Sequence, residues 1–169
     1  MRILIVDDEP DIVELLAGVC EQEGHEVVTS TRSMDALPLL EQQAVDLLVT
    51  DISMPAPDGL ELVRRGREHD PRLMAVVITG YGARYPVDQV LAAGASDLML
   101  KPFRMEEFKA RVALAAQRRE HLDALHQRQR GLQEVSTEMI RGLQNELEAA
   151  RRMAADARHA TPRVVGPSH

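Results

Sequence analysis

Short apolar runs recur at regular intervals through the first hundred residues: RILIV at 2–6, HEVVT at 25–29, DLLVT at 46–50, MAVVI at 74–78 and DLML at 97–100. Amphipathic stretches at 10–22, 33–43, 58–69 and 84–93 lie between them. Runs this short, with so little polar alternation, read as strands buried on both faces. Their alternation with helices predicts a parallel sheet with helices packed on either side. In such a sheet the carboxyl ends of the strands share one edge, and ligands bind along it. Three of the runs end in charge: Asp7 and Asp8 after the first, Asp51 after the third, and Lys101 after the fifth. Three carboxylates and an ammonium are therefore expected to meet at one edge.

The punctuation agrees with this division. Gly24, Gly80 and Gly94 fall at element boundaries, where a turn or helix end tolerates positive φ. Pro10 and Pro86 suit first helical turns, and Pro71 lies just past a helix end. Pro38 falls inside the second expected helix, where it should kink or shorten it.

Composition narrows the classes of function. No apolar run is long enough to span a membrane, and the start lacks the basic region and cleavage site of a signal peptide. The single Cys20 cannot form an internal disulfide, which fits a reducing cytoplasm. Residues 1–103 carry a net charge of −10 and residues 104–169 one of +3, so an acidic head argues against nucleic-acid binding there. The aromatic residues are Tyr81, Tyr85, Phe103 and Phe108, too few for a base-stacking surface.

From about residue 105 the strand signal stops, and Gln, Glu, Arg, Ala and Leu dominate to about 158. Residues 105–117 suit a fifth helix packed on the sheet through Phe108, Val112 and Ala115. Beyond them Leu122, Leu125, Gln129, Leu132, Ser136, Met139 and Leu143 follow the 3-4 spacing of a coiled-coil seam. The seam continues at Leu147 after an extra step, a stutter. A helix over 105–158 would be about 80 Å long and could not hide that stripe on a domain of this size. It must pair with a second chain, fold back at Gly131 or Gly142, or fray; each glycine costs about 1 kcal/mol inside a helix. The division expected is a domain at 1–117, a helical, coiled-coil extension at 118–158 and a disordered tail at 159–169.

The site chemistry follows from charge. Carboxylates about 5 Å apart repel by roughly 3 kcal/mol at an effective dielectric of 20, so Asp7, Asp8 and Asp51 invite raised pKa values or a bound cation. Mg²⁺ suits them, because it needs only one or two carboxylates and keeps water or phosphate oxygens in its other positions. Acids at a helix start also arise simply to complement its dipole, and Asp11 is read that way. Asp51, alone at the end of the middle strand, is placed to act as a nucleophile and form an aspartyl phosphate. Lys101 would neutralise phosphoryl oxygens, and the Thr79 hydroxyl would donate to one.

These residues bring out a resemblance. The segments ILIVDDEPD, DLLVTDISMPAPDGLEL, VVITGYG and GASDLMLKPF closely resemble the receiver domain of bacterial two-component response regulators over residues 1 to about 117. The resemblance implies a flavodoxin-like, doubly wound α/β fold whose five strands lie in the order 2-1-3-4-5. It implies Asp51 as phosphoacceptor, Asp8 as direct Mg²⁺ ligand, Asp7 as its second acidic partner and the backbone carbonyl of Ser53 as a further ligand. Thr79 and Lys101 would be the phosphate-sensing pair, and a sensor histidine kinase or phosphotransfer protein the donor. Two positions depart from the family pattern. Leu98 stands where most receivers carry a switching aromatic, for which Tyr81 is the expected partial substitute, and Pro57 stiffens the loop beside Asp51. The expected function is a cytoplasmic phosphorylation switch whose output is homodimerisation through the C-terminal helix or partner binding, either alone or as a piece of a longer regulator. An unphosphorylated docking scaffold is the alternative. A Mg²⁺-dependent aspartyl phosphohydrolase is disfavoured, because such enzymes need an acid where Ser53 stands.

Overall fold

The computed structural model describes residues 1–80 and 85–159, with side chains as far as Ala155. Tyr81 and residues 160–169, most of the expected tail, lie outside the described residues; His159, the first residue of that tail, is helical. The chain divides into two compact units, Met1–Ala124 and Leu125–His169.

In the first unit, strands β1 (Arg2–Val6), β2 (Glu26–Ser30), β3 (Leu47–Asp51), β4 (Met74–Thr79) and β5 (Asp97–Leu100) form one parallel sheet in the order β2-β1-β3-β4-β5. Helices α1 (Pro10–Gln22), α2 (Ser33–Gln42), α3 (Gly59–His69) and α4 (Val87–Ala92) connect them, and α5 (Met105–His159) follows. Alternate residues of each central strand serve opposite layers. Ile3 and Ile5 of β1 pack with Leu16 and Cys20 of α1 and Phe108, Val112 and Ala115 of α5. Leu4 and Val6 pack with Ala36 and Leu40 of α2, Leu60 and Val63 of α3 and Val90 of α4. Burial on both faces is why these strands read as continuous apolar runs rather than alternating ones.

Boundary details have local causes. Gly24 and Gly94 take φ of 82° and 97°, the left-handed region that a side chain resists. Gly80 stays outside that region. Pro10 occupies the first turn of α1, as expected. Pro38 lies inside α2 without ending it. The carbonyl that loses its donor belongs to Met34, an exposed residue where water can take the donor's place. Helix α5 runs unbroken through Gly131 and Gly142, so the fold-back considered from the sequence does not occur.

Within the first unit, α5 is buried as far as Arg119. The Arg119 guanidinium meets Asp46 ahead of β3, Asp70 at the end of α3 and Asp123 one turn further along α5. In the second unit Leu132, Val135, Met139, Leu143 and Leu147 are exposed along one stripe.

Candidate functional site

The register of the sheet assembles the site. Asp51 ends β3 opposite Ile78, and Thr79 ends β4 opposite Leu100, so Asp51, Thr79 and Lys101 arrive at the same edge on neighbouring strands. Asp7 follows β1 on the other side of β3. Asp7, Asp51 and Thr79 are all buried, at 1%, 5% and 2% exposure.

Lys101 draws the acids together. Its Nζ donates to Asp7 Oδ2 at 2.9 Å and to Glu9 Oε1 at 3.0 Å, and stands 3.7 Å from Asp51 Oδ1. The other oxygen of Asp7 accepts from the Glu9 N–H at 3.0 Å. The other oxygen of Asp51 accepts from the Ser53 N–H at 2.8 Å, so the chain turns back over the carboxylate just after β3. Burial raises the Asp51 pKa above its ordinary 3.8; Lys101 opposes this, Asp7 and Asp8 add to it, and the Ser53 N–H opposes it. Among the described residues the Thr79 hydroxyl has only a long 3.4 Å contact to the Gly80 carbonyl and so is weakly committed.

Asp8 is exposed and lines a cleft of about 170 Å³ with Arg32, Met34, Met54 and Pro55. Among the described residues no three His, Cys, Asp or Glu side chains converge as a metal cage. Mg²⁺ does not require one, since one or two carboxylates and water suffice. The donor set fits that cation: hard oxygens only, with Asp51 destabilised in its charged form by burial and by its acidic neighbours. Leu98 is half-buried against the layer formed by α2, α3 and α4, and Tyr81 lies outside the described residues.

Two contributors escape a reading of the sequence. Glu9, just ahead of α1, makes no side-chain cap and instead shares Lys101 with Asp7. Its only signal is being the third acid in DDEP. Gly59 lets the start of α3 press on the backbone of Asp51: a Cβ there would lie 2.0 Å from the Asp51 carbonyl oxygen. The sequence signal was the glycine after PAPD, which marks a turn but not a close approach. A larger cleft of about 330 Å³ lies at the opposite edge of the sheet, lined by residues that include Gln43, His69 and Arg72, and takes no part in this arrangement.

Residues 3–113 match the family model of the response regulator receiver domain. The transcriptional regulatory protein TrcR of Mycobacterium tuberculosis is 35% identical over 123 residues, 73% of this chain and 48% of TrcR. The alkaline phosphatase synthesis transcriptional regulatory protein PhoP of Bacillus subtilis is 34% identical over 119 residues, 70% of this chain and 50% of that protein. The chain thus spans about half the length of these curated relatives. Among solved structures, a CheY-like response regulator receiver domain protein from Methanospirillum hungatei superposes with a TM-score of 0.67 at 28% identity, covering 71% of this chain and 96% of its own. The beryllofluoride-activated NtrC4 receiver domain dimer gives a TM-score of 0.65 at 29% identity, covering 70% and 98%.

Proposed function

Since the chain belongs to the response regulator receiver domain family, we propose that Asp51 is its phosphoacceptor and that a sensor histidine kinase or phosphotransfer protein in the cytoplasm is the donor. The observation that carries this reading is the pairing of a buried, pKa-raised Asp51 with a lysine ammonium 3.7 Å away. An Asp51 oxygen attacks phosphorus, an O–P bond forms, and the P–N bond to the donor imidazole breaks. The phosphoryl group then stands between Lys101 and the Thr79 hydroxyl, which hold its oxygens. Asp8, Asp51 and the Ser53 carbonyl, with Asp7 behind them, would hold Mg²⁺, which when bound supplies charge against the phosphoryl oxygens.

The test is intact mass after incubation with Mg²⁺ and a small-molecule phosphodonor. One added phosphate on the wild type and none on Asp51→Ala is the expected result. No adduct, or the same adduct on the variant, overturns the reading.

The output we propose is association of two copies through Leu125–His169. The support is the exposed stripe at Leu132, Met139 and Leu143, 67%, 65% and 60% accessible, which an isolated helix has no means of covering. Light scattering in Mg²⁺, with and without beryllium fluoride, reads this directly. A mass that doubles with beryllium fluoride supports it; a dimer in both conditions would make the helix a constitutive stalk and overturn association as the output, and a monomer in both overturns it as well.

A further inference from the structure

We infer that Tyr85 is a positioning residue for the Asp51 site, tying the chain just ahead of α4 to the start of α3, which packs on Asp51. The inference rests on the phosphoacceptor reading above and extends it to a residue outside the acidic edge.

The geometry runs through Asp58. Oδ1 of Asp58 caps α3 by accepting the Glu61 N–H at 2.8 Å, and Oδ2 accepts the Tyr85 hydroxyl at 2.6 Å. One carboxylate therefore joins the start of α3 to the chain just ahead of α4. The start of α3 is in turn fixed on Asp51: the Gly59 N–H reaches the Ile52 carbonyl at 3.4 Å, and Gly59 leaves no room for a side chain against the Asp51 carbonyl. A shift in the backbone of Asp51 must displace Asp58, and Asp58 cannot move without straining or breaking its bond to Tyr85. A phenol donating to a carboxylate is among the stronger hydrogen bonds a protein makes, and short distances are its mark.

The ring is as placed as the hydroxyl. Tyr85 packs on the layer that contains Leu60, Val77, Val90 and Ala93, which is also the layer that Leu98 touches. It is the aromatic side chain on that layer among the described residues, because Phe103 and Phe108 lie on the opposite face. Leu98 offers only packing there, with neither a ring nor a hydroxyl. Tyr85 offers both, reaching the α3 cap with one end and the core between α3 and α4 with the other. A signal arising at Asp51 thus has a polar, directional route to α4 that does not pass through position 98.

The experiment uses the full chain with Mg²⁺ and beryllium fluoride as the probe. Calorimetry reads its affinity, and NMR of tyrosine labelled at the phenol carbon reads the ring; with two tyrosines in the chain, Tyr85→Phe identifies the Tyr85 signal. Tyr85→Phe keeps the ring, and Asp58→Asn keeps a good helix cap, so both retain the fold. The Tyr85 signal is expected to shift on probe binding. Each variant is expected to bind about 2- to 30-fold more weakly, the span of typical mutational effects on coupling. The double variant is expected to bind no more weakly than the weaker single one, because both changes remove the same bond. Wild-type binding with an unmoved Tyr85 signal and unchanged single variants overturns this inference alone. Additive losses in the double variant do the same. A wild-type chain that binds no probe overturns the phosphoacceptor reading, and this inference with it.

Discussion

Lys101 stands 2.9 Å from Asp7 and 3.7 Å from Asp51, so its ammonium rests on the acid beside the middle strand rather than on the acid that ends it. Asp7 is the more buried of the two, and a buried carboxylate is tolerable only with a partner charge. Burial opposes the lysine charge, yet hydrogen bonds to Asp7 and Glu9 and the charges of Asp7 and Asp51 hold its pKa above the usual lysine value. Lys101 is thus a fixed cation of the site, which leaves Asp51 only partly neutralised.

Removing that cation separates its two tasks. Lys101→Met strands Asp7 and should cost about 1–3 kcal/mol of stability, the range for a buried polar group left unsatisfied. It also withdraws the charge that opposes the raised Asp51 pKa, so a divalent cation becomes the remaining way to relieve the acids. Urea unfolding in chelator and then in millimolar Mg²⁺ checks this. The variant's loss should be larger in chelator, and equal losses in the two conditions would contradict the account.

Asp51 imposes the opposite pH dependence from an ordinary paired acid. Its folded pKa lies above 3.8, so the folded chain holds the proton more tightly than the unfolded chain. Stability therefore falls as pH rises from about the unfolded value through the folded one, and the penalty is full above it. Asp51→Asn removes the penalty. The variant should melt higher than wild type at pH 7, by about 2–4 °C per kcal/mol relieved in a chain of this size. The gap should close as pH falls below the unfolded carboxylate value, where both side chains are neutral. A gap that persists in acid, or a variant less stable at neutral pH, would falsify the assignment.

The acidic edge was legible because it depends on where strands stop. Asp7, Asp51, Thr79 and Lys101 each sit at the end of an apolar run, and a parallel sheet places such ends together whatever the side chains do next. Strand limits differed by a residue, as at Glu26–Ser30 for the expected 25–29, since hydrogen-bond pairing rather than composition decides them. The start of α4 at Val87, a few residues later than expected, has the same origin. What the sequence hid are contacts at the ends of elements: Tyr85 on Asp58, Glu9 on Lys101, and Gly59 against the Asp51 carbonyl. None of these carries a periodicity. Arg119 belongs with them, since in a run rich in both charges a buried arginine looks like its solvated neighbours.

Gly59 and Gly18 are both helical glycines, and substitution should move them in opposite directions. At Gly59 a methyl would lie 2.0 Å from the Asp51 oxygen, a backbone atom that cannot swing away. Gly59→Ala should cost about 1–3 kcal/mol by overpacking and weaken beryllium fluoride binding, because the displaced atom belongs to Asp51. At Gly18, inside α1, nothing lies within 4 Å of the added carbon. Gly18→Ala should stabilise by about 0.4–1 kcal/mol through the unfolded state and leave probe binding unchanged. Thermal melts and calorimetry on the pair check both halves.

Arg119 is a buried guanidinium away from the site that meets three carboxylates. Its side chain is 9% exposed, with Nε 3.0 Å from Asp123, Nη2 3.3 Å from Asp46 and Nη1 3.0 Å from Asp70. Nη1 lies off the line of a hydrogen bond, so its attraction to Asp70 is mainly charge on charge. Arg72 adds a second guanidinium to Asp70 and Asp123. Burial works against the Asp70 charge, yet the Arg72 N–H and side chain and the charge of Arg119 hold its pKa below 3.8. A depressed folded pKa contributes stability above the unfolded value and loses it as pH falls through the folded one, the reverse of Asp51. Arg119→Met should cost about 1–3 kcal/mol, because it takes a buried guanidinium from three partly exposed acids, two of which keep Arg72. Asp70→Asn in the same chain should recover part of that loss, since the harm comes from the stranded charge and Asn can still accept the Arg72 N–H. Urea unfolding of the two single variants and the double checks this: a double variant no more stable than Arg119→Met would mean the guanidinium acts through packing alone.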